Sequence, residues 1–284
     1  MTATTVSIPP GAAGPPRRSP FGWAIKDTLV LTWRSIARIA AEPETLMDVT
    51  VQPLIFVLLF AYVFGSAIRI PGGGSYHEYL LGGMLGMGLA GTAPGTAVAM
   101  VSDASSGMID RFRSLPMSRA AVLAGRTIAD LLTQVIGAAV TAGVGLAIGW
   151  RVHSGIGEVF AAFGLAMAYG YAFTWAGACL GMVLRSPEAA QQLGFVLFLP
   201  LMFVSNAFVP TQGMPGWLQA VADWNPMSAL AAASRHLFGN QNPAAAVHAW
   251  PMQHPEVAVI GWSALMLAIF APLAVHLYRR KAGG

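Results

Sequence analysis

The sequence predicts an all-α integral membrane protein with six transmembrane helices, on three observations. Charged residues make up only 10% of the 284-residue chain, against 55% hydrophobic residues and a mean hydropathy of +0.60. Soluble domains carry about a quarter charged residues, so this chain has too few charges to cover a water-facing surface. Six apolar segments each approach the ~20 residues that cross a bilayer core. The arginines and lysines fall almost entirely on one side of that six-span pattern. The length fits one membrane domain over 21–281, with no room for a second globular domain.

Residues 1–20 are rich in Pro, Gly, Ala and Thr without apolar periodicity, and read as a disordered tail. Arg17-Arg18 opens no export signal, because Lys26, Asp27, Arg34 and Arg38 interrupt the apolar stretch that a signal requires. Residues 21–41 are amphipathic. Phe21, Ile25, Leu29, Trp33, Ile36 and Ala40 follow one side, and Asp27, Arg34 and Arg38 the other, as suits a helix lying at the membrane surface. Glu42-Pro43-Glu44 ends it.

The spans are expected at about 49–68, 79–101, 126–150, 159–184, 189–208 and 257–278. An even number of spans places both termini on one face with the loops after the second and fourth. That face carries Arg17, Arg18, Lys26, Arg34, Arg38, Arg111, Arg113, Arg119, Arg126, Arg185, Arg279, Arg280 and Lys281, and the other only Arg69, Arg151 and Arg235. The positive-inside rule therefore puts both termini in the cytoplasm of a plasma-membrane protein. The basic balance is a topology signal and not a nucleic-acid footprint. Glycine pairs four apart (Gly82/Gly86, Gly91/Gly95, Gly145/Gly149, Gly177/Gly181) let helix backbones approach closely. Pro53, Pro94, Pro200 and Pro272 fall inside spans and are expected to kink them or free a carbonyl. Gln52 and Gln134 are candidate interhelical hydrogen bonders. Asp130 stands one helical turn from Arg126 and is expected to pair with it.

After the fifth span the chain stays uncharged to Ala222, yet Pro210, Gly213, Pro215 and Gly216 forbid one continuous helix. Trp217, Leu218, Val221 and Trp224 then recur at helical spacing before Asn225-Pro226. This pattern predicts a span that surfaces, followed by a short helix anchored in the interface by its aromatics.

The polar interruption from Asp103 to Arg126 separates the second and third spans. Met108, Phe112 and Leu115 fall at i, i+4 and i+7, so a helix here has one apolar face and carries Asp110, Arg111 and Arg113 elsewhere. Such a shape suits the grip of another protein. Other chemistry is missing. Lys26 and Lys281 are the only lysines, and neither follows the glycine of a phosphate-binding Gly-Lys-Ser/Thr loop. No His-Glu-x-x-His and no cysteine cluster offers a metal site. Cys179 is alone and sits in an apolar run, where a buried small hydrophobe is its expected role.

Gly107 to Arg119 (Gly-Met-Ile-Asp-Arg-Phe-Arg-Ser-Leu-Pro-Met-Ser-Arg), then Leu123-Ala124-Gly125-Arg126-Thr127, resembles the cytoplasmic loop of ABC-2 type permeases. More narrowly, it resembles the daunorubicin-resistance membrane subunits of actinobacteria. Phe208-x-Pro210, Pro215-x-Trp217-Leu218, Asn225-Pro226 and Arg235 resemble that family's outer re-entrant segment. Ser105-Ser106 departs from the charged residue that relatives often carry before the glycine.

The resemblance implies a coupling helix at about 104–115 that docks into a separate cytoplasmic ATPase. Gly107, Met108, Ile109, Asp110, Arg111, Phe112, Arg113, Leu115, Pro116 and Arg119 are its implied coupling residues. It also implies that two permeases pair, that the partner subunit binds ATP and Mg, and that this chain is not itself an enzyme. The implied function is export of an amphiphilic small molecule such as an antibiotic. A lipid or glycolipid exporter shares the architecture. An ion-coupled secondary transporter would need ionisable residues deep in the spans, where the sequence pattern places none.

Overall fold

A computed structural model describes residues 43–105 and 119–281. The tail at 1–20, the amphipathic segment at 21–41 and most of the loop resembling a coupling helix lie outside the described residues. Within them the chain is helical and contains no strand.

Helix α1 (Pro43–Leu59) runs through Pro53 and continues as a π-helical turn, Phe60–Phe64. The second span comes in two pieces, α2 (Tyr76–Ala90) and α3 (Thr92–Ser105). Pro94 has no N–H for the carbonyl of Ala90, and the helix breaks just upstream, at Gly91. The Gly91 N–H still closes on the Met87 carbonyl at 2.8 Å, and the Thr92 hydroxyl donates to the Leu89 carbonyl at 2.8 Å. Then come α4 (Arg119–Ala147), α5 (Ile156–Val183) and α6 (Pro187–Phe203). After α6 lie two short helices, α7 (Gly216–Asp223) and α8 (Pro226–Leu237), a single turn α9 (Trp250–Gln253), and the long α10 (Pro255–Lys281).

Four of these units are long and apolar enough to cross a membrane: Tyr76–Asp103, Asp130–Ala147, Ile156–Val183 and Pro255–Arg280. The first and fifth expected spans correspond to α1 and α6, of 17 residues each. The fifth was expected to reach residue 208, but α6 stops at Phe203, because the chain turns there towards α8.

Helix α5 is the centre of the body, packing on α10, α3, α2, α4 and α8. Its expected glycine pair serves this packing within the chain. A Cβ on Gly177 would overlap the Ala93 carbonyl oxygen, and one on Gly181 would lie 2.5 Å from that of Ala97. Small residues thus bring α5 and α3 into backbone contact. Gly82 does the same for α2 against α8, where a Cβ would lie 2.9 Å from the Ala231 carbonyl oxygen. Gly86 meets only the side chains of Leu230 and Met227, and Gly95 and Gly149 have no neighbour within reach. Gln134 is an interhelical donor as expected, to the Thr92 hydroxyl at 2.8 Å, and Thr96 donates to Asp130 at 2.9 Å. The expected partner of Asp130, Arg126, has a side chain outside the described residues. Gln52 instead lies exposed on α1. Cys179 is buried, as expected.

Candidate functional site: a helix break held by a buried arginine

After the Val204 N–H closes on the Pro200 carbonyl at 2.8 Å, residues 205–210 leave the helix, yet most are buried. In an apolar setting each freed carbonyl needs a donor. The donors come from α2, α8, the junction before α8 and the break itself. The Asn225 amide donates to the carbonyls of Leu201 (2.7 Å) and Val204 (2.5 Å). Ser205 donates to the Met202 carbonyl at 2.6 Å. The Tyr79 hydroxyl donates to the Asn206 carbonyl at 2.6 Å, and the Tyr76 hydroxyl to that of Phe208 at 3.2 Å. The Asn206 N–H in turn donates to the Ser228 hydroxyl at 2.9 Å.

Arg235 completes the set. Its Nε donates to the Tyr79 carbonyl (2.8 Å), its Nη1 to Asn206 Oδ1 (3.3 Å), and its Nη2 to the carbonyls of Asn206 (2.8 Å) and Ala207 (3.1 Å). The guanidinium carbon sits 3.6 Å from the centroid of the Tyr79 ring, a cation–π stack. The residue is 0% exposed. No carboxylate among the described residues pairs with it; neutral oxygens and an aromatic face balance the charge. The planar fork suits this task, because it covers several acceptors at once.

Local sequence explains the framing elements. Asn225 caps α8 by accepting from the Met227 N–H at 2.8 Å, and Pro226 occupies the first helical position, where its missing N–H costs nothing. The run Met-Ser-Ala-Leu-Ala-Ala-Ala-Ser is small enough to be buried from Met227 to Arg235. Gly82 and Gly83 on α2 leave the room: a Cβ on Gly83 would overlap the Ala207 carbonyl, and one on Gly82 would lie 3.0 Å from Arg235 Cγ. Aromatic contacts continue the joint to the π-helical turn after α1, with Phe208 stacked on Phe60 at 4.5 Å.

Helix α7 caps this region. Trp217, Val221 and Trp224 are exposed, while Asp223 on the opposite side is buried and accepts from the Thr211 hydroxyl at 3.0 Å. Burial pushes the Asp223 carboxyl up from the ordinary aspartate range, and the Thr211 hydrogen bond opposes that only in part.

The ABC-2 type transporter family model matches residues 26–238, which takes in α1 to α8 and the arginine-held break and stops short of α10. The chain belongs to that family. This ABC-2 type chain is 35% identical over 258 residues, 91% of its length and 88% of the relative's, to the daunorubicin resistance ABC transporter permease protein DrrB1 of Streptomyces coeruleorubidus. It is 24% identical over 264 residues (91% and 90%) to the probable doxorubicin resistance ABC transporter permease protein DrrC of Mycobacterium tuberculosis. A putative transport permease, ycf38, of Pyropia yezoensis is 26% identical over 224 residues (77% and 76%).

In the ABC-2 type chain, the residues singled out after the fifth span gather at the break. Phe208 is buried in it, Pro210 precedes a single 3-10 turn at Thr211–Gly213, Pro215 precedes α7, and Asn225-Pro226 opens α8. Trp217 points away, 72% exposed. Arg235 is the main correction. Counted as a loop charge, it is the most deeply buried cation among the described residues, because α8 is folded into the body. Tyr79, Ser205 and Ser228 escaped sequence reasoning, since each offers a single hydroxyl whose partner lies far away in the chain or on the backbone. Of the residues resembling a coupling helix, Gly107, Met108, Ile109, Asp110, Arg111, Phe112, Arg113, Leu115 and Pro116 lie outside the described residues. Arg119 is the first residue of α4, its side chain likewise outside them.

Proposed function

We propose that this chain is the permease half of an ATP-driven exporter for an amphiphilic small molecule such as an antibiotic. The observation that carries the reading is its similarity, along 91% of its length, to a permease named for daunorubicin resistance. A separate cytoplasmic ATPase binds ATP and Mg, and the segment at 104–115 docks into it. The apolar face of Met108, Ile109, Phe112 and Leu115 supplies burial, and Arg111 and Arg113 supply charge-assisted contacts. Two permeases pair around the path.

Six membrane crossings, with α1 and α6 as the first and fifth, put both termini in the cytoplasm. With Arg235 inside the body, the loops on the opposite face retain Arg69 and Arg151, so the bias becomes thirteen positive residues against two, the three counted less Arg235. The exposed tryptophans of α7 then sit at the outer headgroup level, and the break and α8 form the outer re-entrant segment.

The test is drug accumulation in cells expressing the permease, the ATPase encoded beside it, or both. Accumulation of an anthracycline is expected to fall only with both, and the purified permease alone to hydrolyse no ATP. Efflux by the permease alone that disappears when the proton gradient is collapsed would refute the reading.

A further inference from the structure

We propose that Arg235 is a positioning residue that keeps the helix break closed on α2 and α8 throughout the transport cycle, so that these three elements move as one block. The inference rests on the permease reading for its transport cycle, and on the geometry of the break for its substance. One side chain joins three segments far apart in sequence: its own α8, the Tyr79 carbonyl on α2, and the carbonyls of Asn206 and Ala207 in the break.

Arg235 is not placed to bind cargo. It is wholly buried, and Nε, Nη1 and Nη2 each already hold an acceptor. Nor is it one half of an exchangeable ion pair, since no carboxylate among the described residues pairs with it. Separating the break from α2 would strand a guanidinium and at least two backbone carbonyls together in an apolar interior, where unpaired polar groups are costly. The fit leaves no intermediate position, because Gly82 and Gly83 already carry the Arg235 stem and the Ala207 carbonyl at contact distance. Tyr79 serves twice, with its ring under the guanidinium and its hydroxyl on the same Asn206 carbonyl. The outer end therefore opens by displacement of the whole block, not by peeling the break away.

Ser205, 1% exposed and inside the break, offers a near-isosteric probe, and Cys179 is the only natural thiol. The test uses Ser205→Cys with Cys179→Ala in the full-length permease, co-expressed with its ATPase. Membrane fragments open on both faces are treated with a charged maleimide, with and without MgATP. With Arg235 intact, the thiol is expected to stay unreactive at rest and during turnover. In Arg235→Gln it is expected to react about tenfold faster or more, and in Arg235→Lys at an intermediate rate, since an ammonium keeps the charge but not the fork.

Protection that persists in Arg235→Gln, or a thiol that becomes reactive with Arg235 intact once MgATP is added, overturns the proposal. If Arg235→Gln does not accumulate, Arg235→Lys carries the comparison, and the MgATP arm needs no arginine variant. The labelling is independent of cargo: failure of the exporter reading alone leaves the resting protection pattern intact while efflux is absent.

Discussion

Adding one methyl group at Gly177 tests whether backbone contact between α5 and α3 holds the centre of the body together. The new Cβ would overlap the Ala93 carbonyl oxygen and lie 2.9 Å from its carbonyl carbon and 3.0 Å from its Cα. All three atoms are backbone, so no rotamer change relieves the clash and the helices must separate. Overpacking of this kind costs about 1–3 kcal/mol. Against it stands the helix propensity gained on replacing glycine by alanine, about 1 kcal/mol. The net expectation is a loss of up to about 2 kcal/mol, or a fall in Tm of roughly 4–8 °C at the upper end for a chain of this size.

Gly164, on the same helix with nothing within 4 Å of its Cβ position, supplies the control. Gly164→Ala keeps only the propensity gain and should melt at or slightly above the parent. Gly177→Ala with Gly181→Ala should lose less than the sum of the single losses, because separation forced by the first methyl makes room for the second. Thermal unfolding of the detergent-purified permease, followed by the fraction remaining monodisperse, reads the parent, the three single variants and the double variant. Equal melting of Gly177→Ala and Gly164→Ala would refute the reasoning.

Asn225→Ala should destabilise by about 1–3 kcal/mol, since it removes the α8 cap and the donations to the carbonyls of Leu201 and Val204. Asn225→Asp, which keeps the cap acceptor but loses the donations, should recover only part of this, as read by Tm. Asp223 carries a raised folded pKa, so its contribution is fully present below the unfolded aspartate value and is lost as pH rises through the folded value. Asp223→Asn should therefore gain stability relative to the parent at neutral pH and flatten the acid end of a melting-versus-pH series; an unchanged profile counts against a buried carboxylate. Phe112→Asp should abolish co-purification of the ATPase while membrane insertion persists, and undiminished co-purification would contradict docking through the apolar face. A C-terminal epitope after Gly284 should label only in permeabilised cells; labelling of intact cells would reverse the orientation.

Much of the fold was legible from hydropathy alone, because a bilayer demands long apolar segments whose backbone polar groups are satisfied within each helix. Each expected span has a helix, and the glycine pair at Gly177 and Gly181 was readable as packing. The Gly91 break was less so: Pro94 signals trouble, but only the packed neighbours show where the helix gives way. Asn225-Pro226 was legible as a boundary, since the cap chemistry is local.

Hydropathy, charge placement and local motifs were enough to read a helical membrane body, its family, and the stretch after the fifth span where regular helix fails. Tertiary structure alone decided where α6 ends, which groups receive the freed carbonyls, and that Arg235 lies inside and not in a loop. The physical reason is range. Hydrophobic periodicity and capping act over a few residues, whereas Arg235 meets Tyr79 across 156 positions and Asn206 across 29. One cation in a short alanine-rich helix looks like a surface charge until the carbonyls that need it are folded against it.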